Sequence, residues 1–184
     1  MIPSLATYSY WVALGALFLQ CVTVYLLIEH FFLTEKYLAP YARRFGVGIV
    51  FVVGIVSAAF SLVYSEVYGF IPCGLCWVER GMLYSLIVLF GTALWKSWGG
   101  SRLVSRAVEI ADYGIVLSVL AAALSLYHHY GQMTGGGLIC PTAGVGSDCA
   151  RRLVFEFGYL TLPLMSFTAF VFFIVVFWLC RRER

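Results

Sequence analysis

Residues 45–68 read FGVGIVFVVGIVSAAFSLVYSEVY, with no charged side chain before Glu66. An α-helix rises about 1.5 Å per residue, so roughly 20 apolar residues cross a hydrocarbon core about 30 Å thick. Within lipid, backbone N–H and C=O groups must be satisfied inside the segment, and a single long apolar run does this as a helix. Phe45 to Tyr68 is therefore expected to span a membrane. Working outward, four more stretches have the same character: Tyr8 to Leu33, Leu75 to Trp95, Ala107 to Tyr130 and Phe157 to Cys180. Glu79 and Arg80 near its start make the third weaker. Glu109 and Asp112 fall in the first turns of the fourth, whose apolar core begins near Tyr113.

Composition agrees. Of 184 residues, 62% are hydrophobic and 11% are charged, whereas a soluble domain keeps about a quarter of its residues charged. The expected fold is an all-α integral membrane bundle forming one membrane domain over residues 1–184. The net charge of +3 is small, and the basic residues cluster beside apolar segments. That pattern points to membrane orientation and away from nucleic acid.

Lys36, Arg43 and Arg44 lie between the first and second stretches. Lys96, Arg102 and Arg106 lie between the third and fourth, and Arg181, Arg182 and Arg184 follow the fifth. Nine of the 12 basic residues thus share one side, leaving Arg80, Arg151 and Arg152 on the other. The positive-inside rule puts the nine, and the C-terminus, in the cytoplasm and the N-terminus outside. Tyr8 to Leu33 has no basic region before it, is too long for a signal peptide, and is followed by no small-residue cleavage site. It is read as a retained helix.

Topology sorts the six cysteines. Cys73 and Cys76, in Pro72-Cys73-Gly74-Leu75-Cys76-Trp77, stand at the outer end of the third span. Cys140 and Cys149 lie in the outer loop between the fourth and fifth. Cys21, inside the first span, and Cys180, at the end of the fifth, read as apolar packing residues. Four cysteines therefore meet on the oxidising side, where disulfides persist. Two residues between Cys73 and Cys76 let their sulfurs meet at a helix start, where unpaired N–H groups and the dipole favour a thiolate. Structural metal sites use the same spacing, while Trp77 in place of His excludes haem attachment. Pro141, Gly144 and Gly146 make the second loop turn-rich. A disulfide between Cys140 and Cys149 would be exposed there, as a plain staple or as a mobile pair serving the fixed one.

Arg80 follows Cys76 by one helical turn and Cys73 by two, so the three share a face. A guanidinium just below the headgroups needs a partner. It pairs with Glu79 or reaches lipid phosphate, or it stabilises a Cys76 thiolate or a reduced anionic cofactor. His128 and His129 end the fourth span at the same level, about 100° apart, so at most one faces a given target. Either is a headgroup contact or a hydrogen-bond donor to a cofactor carbonyl.

Ser65-Glu66, then Phe70-Ile71-Pro72-Cys73-Gly74-Leu75-Cys76-Trp77 closing on Arg80, resembles the DsbB/BdbC family of membrane disulfide-bond formation proteins. Tyr127-His128, the short Cys140 to Cys149 loop, and Phe157-Gly158-Tyr159-Leu160-Thr161-Leu162-Pro163 extend the resemblance, which is closer to the short-loop BdbC branch. It implies a four-helix catalytic core over residues 45–180, with residues 8–33 an additional N-terminal transmembrane helix. It also implies a bacterial cytoplasmic membrane, a quinone (ubiquinone or menaquinone) bound near the outer rim, and a DsbA-like thioredoxin-fold partner. By position, Cys140 would form the mixed disulfide with the partner and Cys149 would resolve it. Cys73 would accept the electrons, Cys76 would lie beside the quinone, and Arg80 and His128 would support the quinone. No metal ligand is assigned. Three other readings stand beside this one: a metal-binding membrane protein using the outer cysteines, the same scaffold running as a thiol reductase, and a non-catalytic scaffold with structural disulfides.

Overall fold

The computed structural model describes residues 4–32, 37–97, 103–135, 140 and 149–181; of Ala39, Arg43, Lys96, Ser97 and residues 103–110 it describes the backbone alone. Five helices follow in order: α1 (Leu5–Phe31), α2 (Ala39–Glu66), α3 (Gly74–Ser97), α4 (Leu103–Thr134) and α5 (Leu162–Arg181). Each is long and apolar enough to cross a membrane. Among the described residues there is no strand, and one isolated bridge pairs Glu156 with Leu160. The molecule is an all-α membrane bundle.

The helix ends have local causes. Ser4 precedes α1, and its hydroxyl accepts the Thr7 N–H at 3.2 Å, satisfying one of the donors a helix start leaves free. Buried Glu29 accepts the backbone N–H groups of Tyr37 and Leu38, the latter at 2.9 Å, and so ties the end of α1 to the approach to α2. Pro40, in the first turn of α2, needs no intrahelical donor there.

The fifth helix starts later than Phe157. Phe157 and Gly158 adopt φ of 52° and 78°, in the left-handed region no α-helix contains. The Glu156 and Leu160 backbones close that turn with two 2.9 Å hydrogen bonds. Thr161 then accepts the Leu164 N–H at 3.4 Å, and α5 begins. Hydropathy ran the span back through the turn because Phe157, Tyr159 and Leu160 are themselves apolar.

α5 is the most buried helix; α4 packs most extensively on it, while α1 leans on α5 and touches α2 little. Phe90 of α3 and Phe177 of α5 stack with centroids 4.6 Å apart. Gly114 of α4 admits them, since a Cβ there would stand 2.6 Å from Phe90 Cζ. Arg181 meets Asp112 at 3.1 Å, at the end of the bundle away from Cys73. Of the residues used to read orientation, Lys36, Arg102, Arg182 and Arg184 lie outside the described residues. So do Leu33 and the Pro141 to Asp148 stretch with Gly144 and Gly146.

Candidate active site

Cys73 immediately precedes α3, and its sulfur occupies the position of a capping side chain. The Cys76 N–H donates to Cys73 Sγ at 3.2 Å, and the first helical hydrogen bond runs from the Trp77 N–H to the Cys73 carbonyl at 3.1 Å. The two cysteines are joined by a disulfide with Cα atoms 5.1 Å apart. Cys73 is 6% exposed and Cys76 half-buried.

Cys140 and Cys149 form the second disulfide, with Cα atoms 6.0 Å apart. Its two halves differ in burial, Cys140 being partly exposed. Cys149 is 1% exposed and packs in one cluster with Cys73, Leu75 and Cys76. The chain beyond it is pinned to the end of α4: Arg152 Nε donates to the Gln132 carbonyl at 2.8 Å, and Gln132 Nε2 donates to the Arg151 carbonyl at 3.3 Å. A helix end leaves such carbonyls unpaired, and a guanidinium is well suited to them. Cys21 departs from expectation, being exposed on α1, whereas Cys180 is buried with its thiol 3.5 Å from the Ala42 carbonyl.

The two histidines separate. His129 Nδ1 lies 2.8 Å from the Thr161 hydroxyl, away from the cysteines. His128 is 1% exposed; its Nε2 stands 3.7 Å from Cys73 Sγ, and its Nδ1 stands 2.9 Å from Glu79 Oε1. With Glu79 ionised, its carboxylate accepts the ring N–H at Nδ1, which leaves Nε2 as the acceptor. Gln132 Nε2, a donor 3.4 Å from His128 Nε2, fits that tautomer. Nε2 thus lies between the Gln132 amide and the Cys73 sulfur.

Arg80 reaches α2 and not Glu79. Its Nε donates to Ser61 Oγ at 2.8 Å, Nη2 to the Ser61 carbonyl at 2.6 Å, and Nη1 to Ser65 Oγ at 3.3 Å. These bonds offset the cost of a cation within the span. Ser61, Ser65, Glu79 and Gln132 were not assigned from sequence. Ser57, Ser61 and Ser65 recur every fourth residue on an otherwise apolar helix, a polar stripe that was there to be read.

Cys76, Arg80 and His128 line one open-sided cavity of about 540 Å³ between α1, α2, α3 and α5 and the end of α4. Ligand atoms of Cys73, Cys76 and His128 also lie within 4.8 Å of one another.

A family model described as "Disulfide bond formation protein DsbB" matches residues 43–180, three quarters of the chain. The chain belongs to the DsbB family. It is similar to Disulfide bond formation protein C of Bacillus subtilis, 28% identical over 72% of this chain and 90% of the relative. It also matches a probable disulfide formation protein of Oceanobacillus iheyensis, 29% identical over 74% and 88%. The SPbeta prophage-derived disulfide bond formation protein B of Bacillus subtilis is 32% identical over 66% and 76%. No solved structure matches significantly. The DsbB match spans α2 to α5 with all four paired cysteines, and α1 lies before it. A multi-pass membrane protein of disulfide bond formation, an oxidoreductase, follows from this membership.

Proposed function

We propose that the chain oxidises a thioredoxin-like protein of the DsbA kind and delivers the electrons to a membrane quinone. The four outer cysteines would face the extracytoplasmic side of a bacterial cytoplasmic membrane. The observation that carries this reading is the burial of Cys149 in one packed cluster with Cys73 and Cys76, which gathers both disulfides at one place.

The steps balance as thiol–disulfide exchanges. A partner thiolate attacks Cys140 Sγ, the bond to Cys149 breaks, and Cys149 leaves as a thiolate. Cys149 attacks Cys73 Sγ and displaces Cys76 as a thiolate. The partner's second thiolate attacks its mixed disulfide, and the freed Cys140 recaptures Cys149 from Cys73. The partner ends as a disulfide, and Cys73 and Cys76 hold its two electrons. The partner dithiol gives up two protons in these steps; the departing Cys73 thiolate takes up one, and His128 Nε2, held in orientation by Glu79, receives it when Cys73 and Cys76 close again.

The cavity fits a quinone. Arg80 can donate to a ring carbonyl, Cys76 and His128 line the same end, and the remainder is mostly apolar. Of the five N–H donors of a guanidinium, three go from Arg80 to the serines. Bound there, the quinone would supply the two-electron, two-proton acceptor the reduced cysteine pair requires.

The test supplies purified protein with reduced partner and quinone. Cys76→Ser is expected to end quinone reduction while leaving the helical circular dichroism unchanged; retained reduction in that variant would overturn the relay. The proximity of Cys73, Cys76 and His128 also suits a soft metal ion once the disulfide is reduced. Metal analysis of the purified protein alongside thiol counting separates that reading, since a resident ion would require both thiols free.

A further inference from the structure

The cavity beside Cys76 and Arg80 has a wall that the family match does not contain. Val12, Gly15, Ala16 and Leu19 of α1 line it, at spacings that place them on one helix face. The match starts at residue 43, after α1 has ended at Phe31.

The lining is divided by depth. Cys76, Glu79 and Arg80 lie in the first two turns of α3, and His128 and Gln132 in the last two of α4, so polar groups gather at one end. Along α2 the lining runs from Ser61 at that end to Val52, nine residues or about 13 Å deeper. The α2 lining at that depth is apolar, and Leu83 of α3 and Phe170 of α5 continue it. Such a space suits a polar head with a slender apolar chain.

α1 is attached so as to leave this space open. Near its start the Tyr8 hydroxyl donates to the Phe60 carbonyl at 3.1 Å, and the Tyr64 hydroxyl donates to Ser9 Oγ at 3.2 Å. Farther along, Gln20 Nε2 donates to Thr168 Oγ1 of α5 at 2.9 Å. Taken whole, α1 rests more on α5 than on α2, and a Cβ on Gly15 would meet nothing within 4 Å.

We infer that α1 forms the wall of a tail subsite, through which Val12, Gly15, Ala16 and Leu19 select a quinone by its isoprenoid chain. This rests on the quinone reading of the same cavity. A lipid acyl chain has the same apolar character, and dependence of turnover on the quinone tail distinguishes the two.

The experiment measures KM for a long-tailed isoprenoid quinone and for a tail-less quinone with the same head, using full-length protein and reduced partner. Gly15→Phe places a ring in the open space. It is expected to raise the ratio of the two KM values about tenfold relative to wild type, an effect on binding of the tail. Gly15→Leu should do so by less, and it decides the matter if the phenylalanine variant does not fold. Cys21→Phe, exposed on α1 about a third of a turn from Gly15, should leave the ratio as it is. An unchanged ratio in both Gly15 variants, with both quinones still reduced, overturns the tail subsite and leaves the quinone reaction standing. A wild-type protein that reduces neither quinone overturns the reaction, and the subsite with it.

Discussion

Glu79 and Arg80 are neighbours in the chain and serve different helices. Consecutive helical residues project about 100° apart, so Glu79 reaches His128 on α4 while Arg80 reaches Ser61 and Ser65 on α2. The carboxylate sets which histidine nitrogen faces the sulfur. In the proposed reaction His128→Asn should lower partner oxidation about 100-fold, as loss of a proton acceptor does. His129→Asn should stay within about twofold of wild type, and Glu79→Gln should lose about tenfold by disturbing the tautomer. Initial rates at saturating quinone check this, and equal losses at the two histidines would remove His128 from its role. Cys73, Cys76 and Arg80 were legible in the sequence because their relation is local, one or two helical turns. The Glu79–His128 pair spans 49 residues, and no spacing within a single helix announces it.

At the scale of elements, the least legible part was the segment that carries Cys149. Glycine and proline before it suggested a mobile, exposed loop, whereas Cys149 is packed away and its neighbours grip the end of α4. The grip comes from Arg152, whose value as a cap depends on where α4 stops, and hydropathy does not report that. Arg152→Ala removes hydrogen bonds to the Gln132 and Met133 carbonyls, at 2.8 and 3.5 Å. Charge-assisted hydrogen bonds contribute about 1.5–3 kcal/mol. The Cys140–Cys149 disulfide should then be reduced roughly tenfold faster by a small thiol, read by trapping and mass measurement. An unchanged rate would mean that burial alone protects it. The start of α5 was misplaced for a related reason: Phe157 is apolar enough for a span, and its positive φ is a backbone property that composition does not carry.

For the whole molecule, five helices and their order were plain from apolar run length, because in lipid a long apolar run has few other ways to satisfy its backbone. The direction of the bundle rests on charge. We expect Cys140, after mild reduction of intact cells, to react with a membrane-impermeant maleimide from outside, and a tag after Arg184 to be protected. Labelling in the reverse sense would invert the orientation and end the proposed route from a secreted partner. How the cavity is walled was beyond sequence, since Val12 to Leu19 reads as one more apolar stretch until α5 shows where it leans.

The packing of Cys149 in one cluster with Cys73 has a kinetic consequence. Two thiol couples on separate molecules must find each other by diffusion, whereas two held in one packed cluster react at an effective concentration far above anything a cell contains. In the proposed route, transfer between the pairs would be independent of how much of the protein the membrane holds. Crowding, dilution and viscosity would be felt only where a partner docks and where an acceptor arrives, and the throughput of the whole would be set at those two doors.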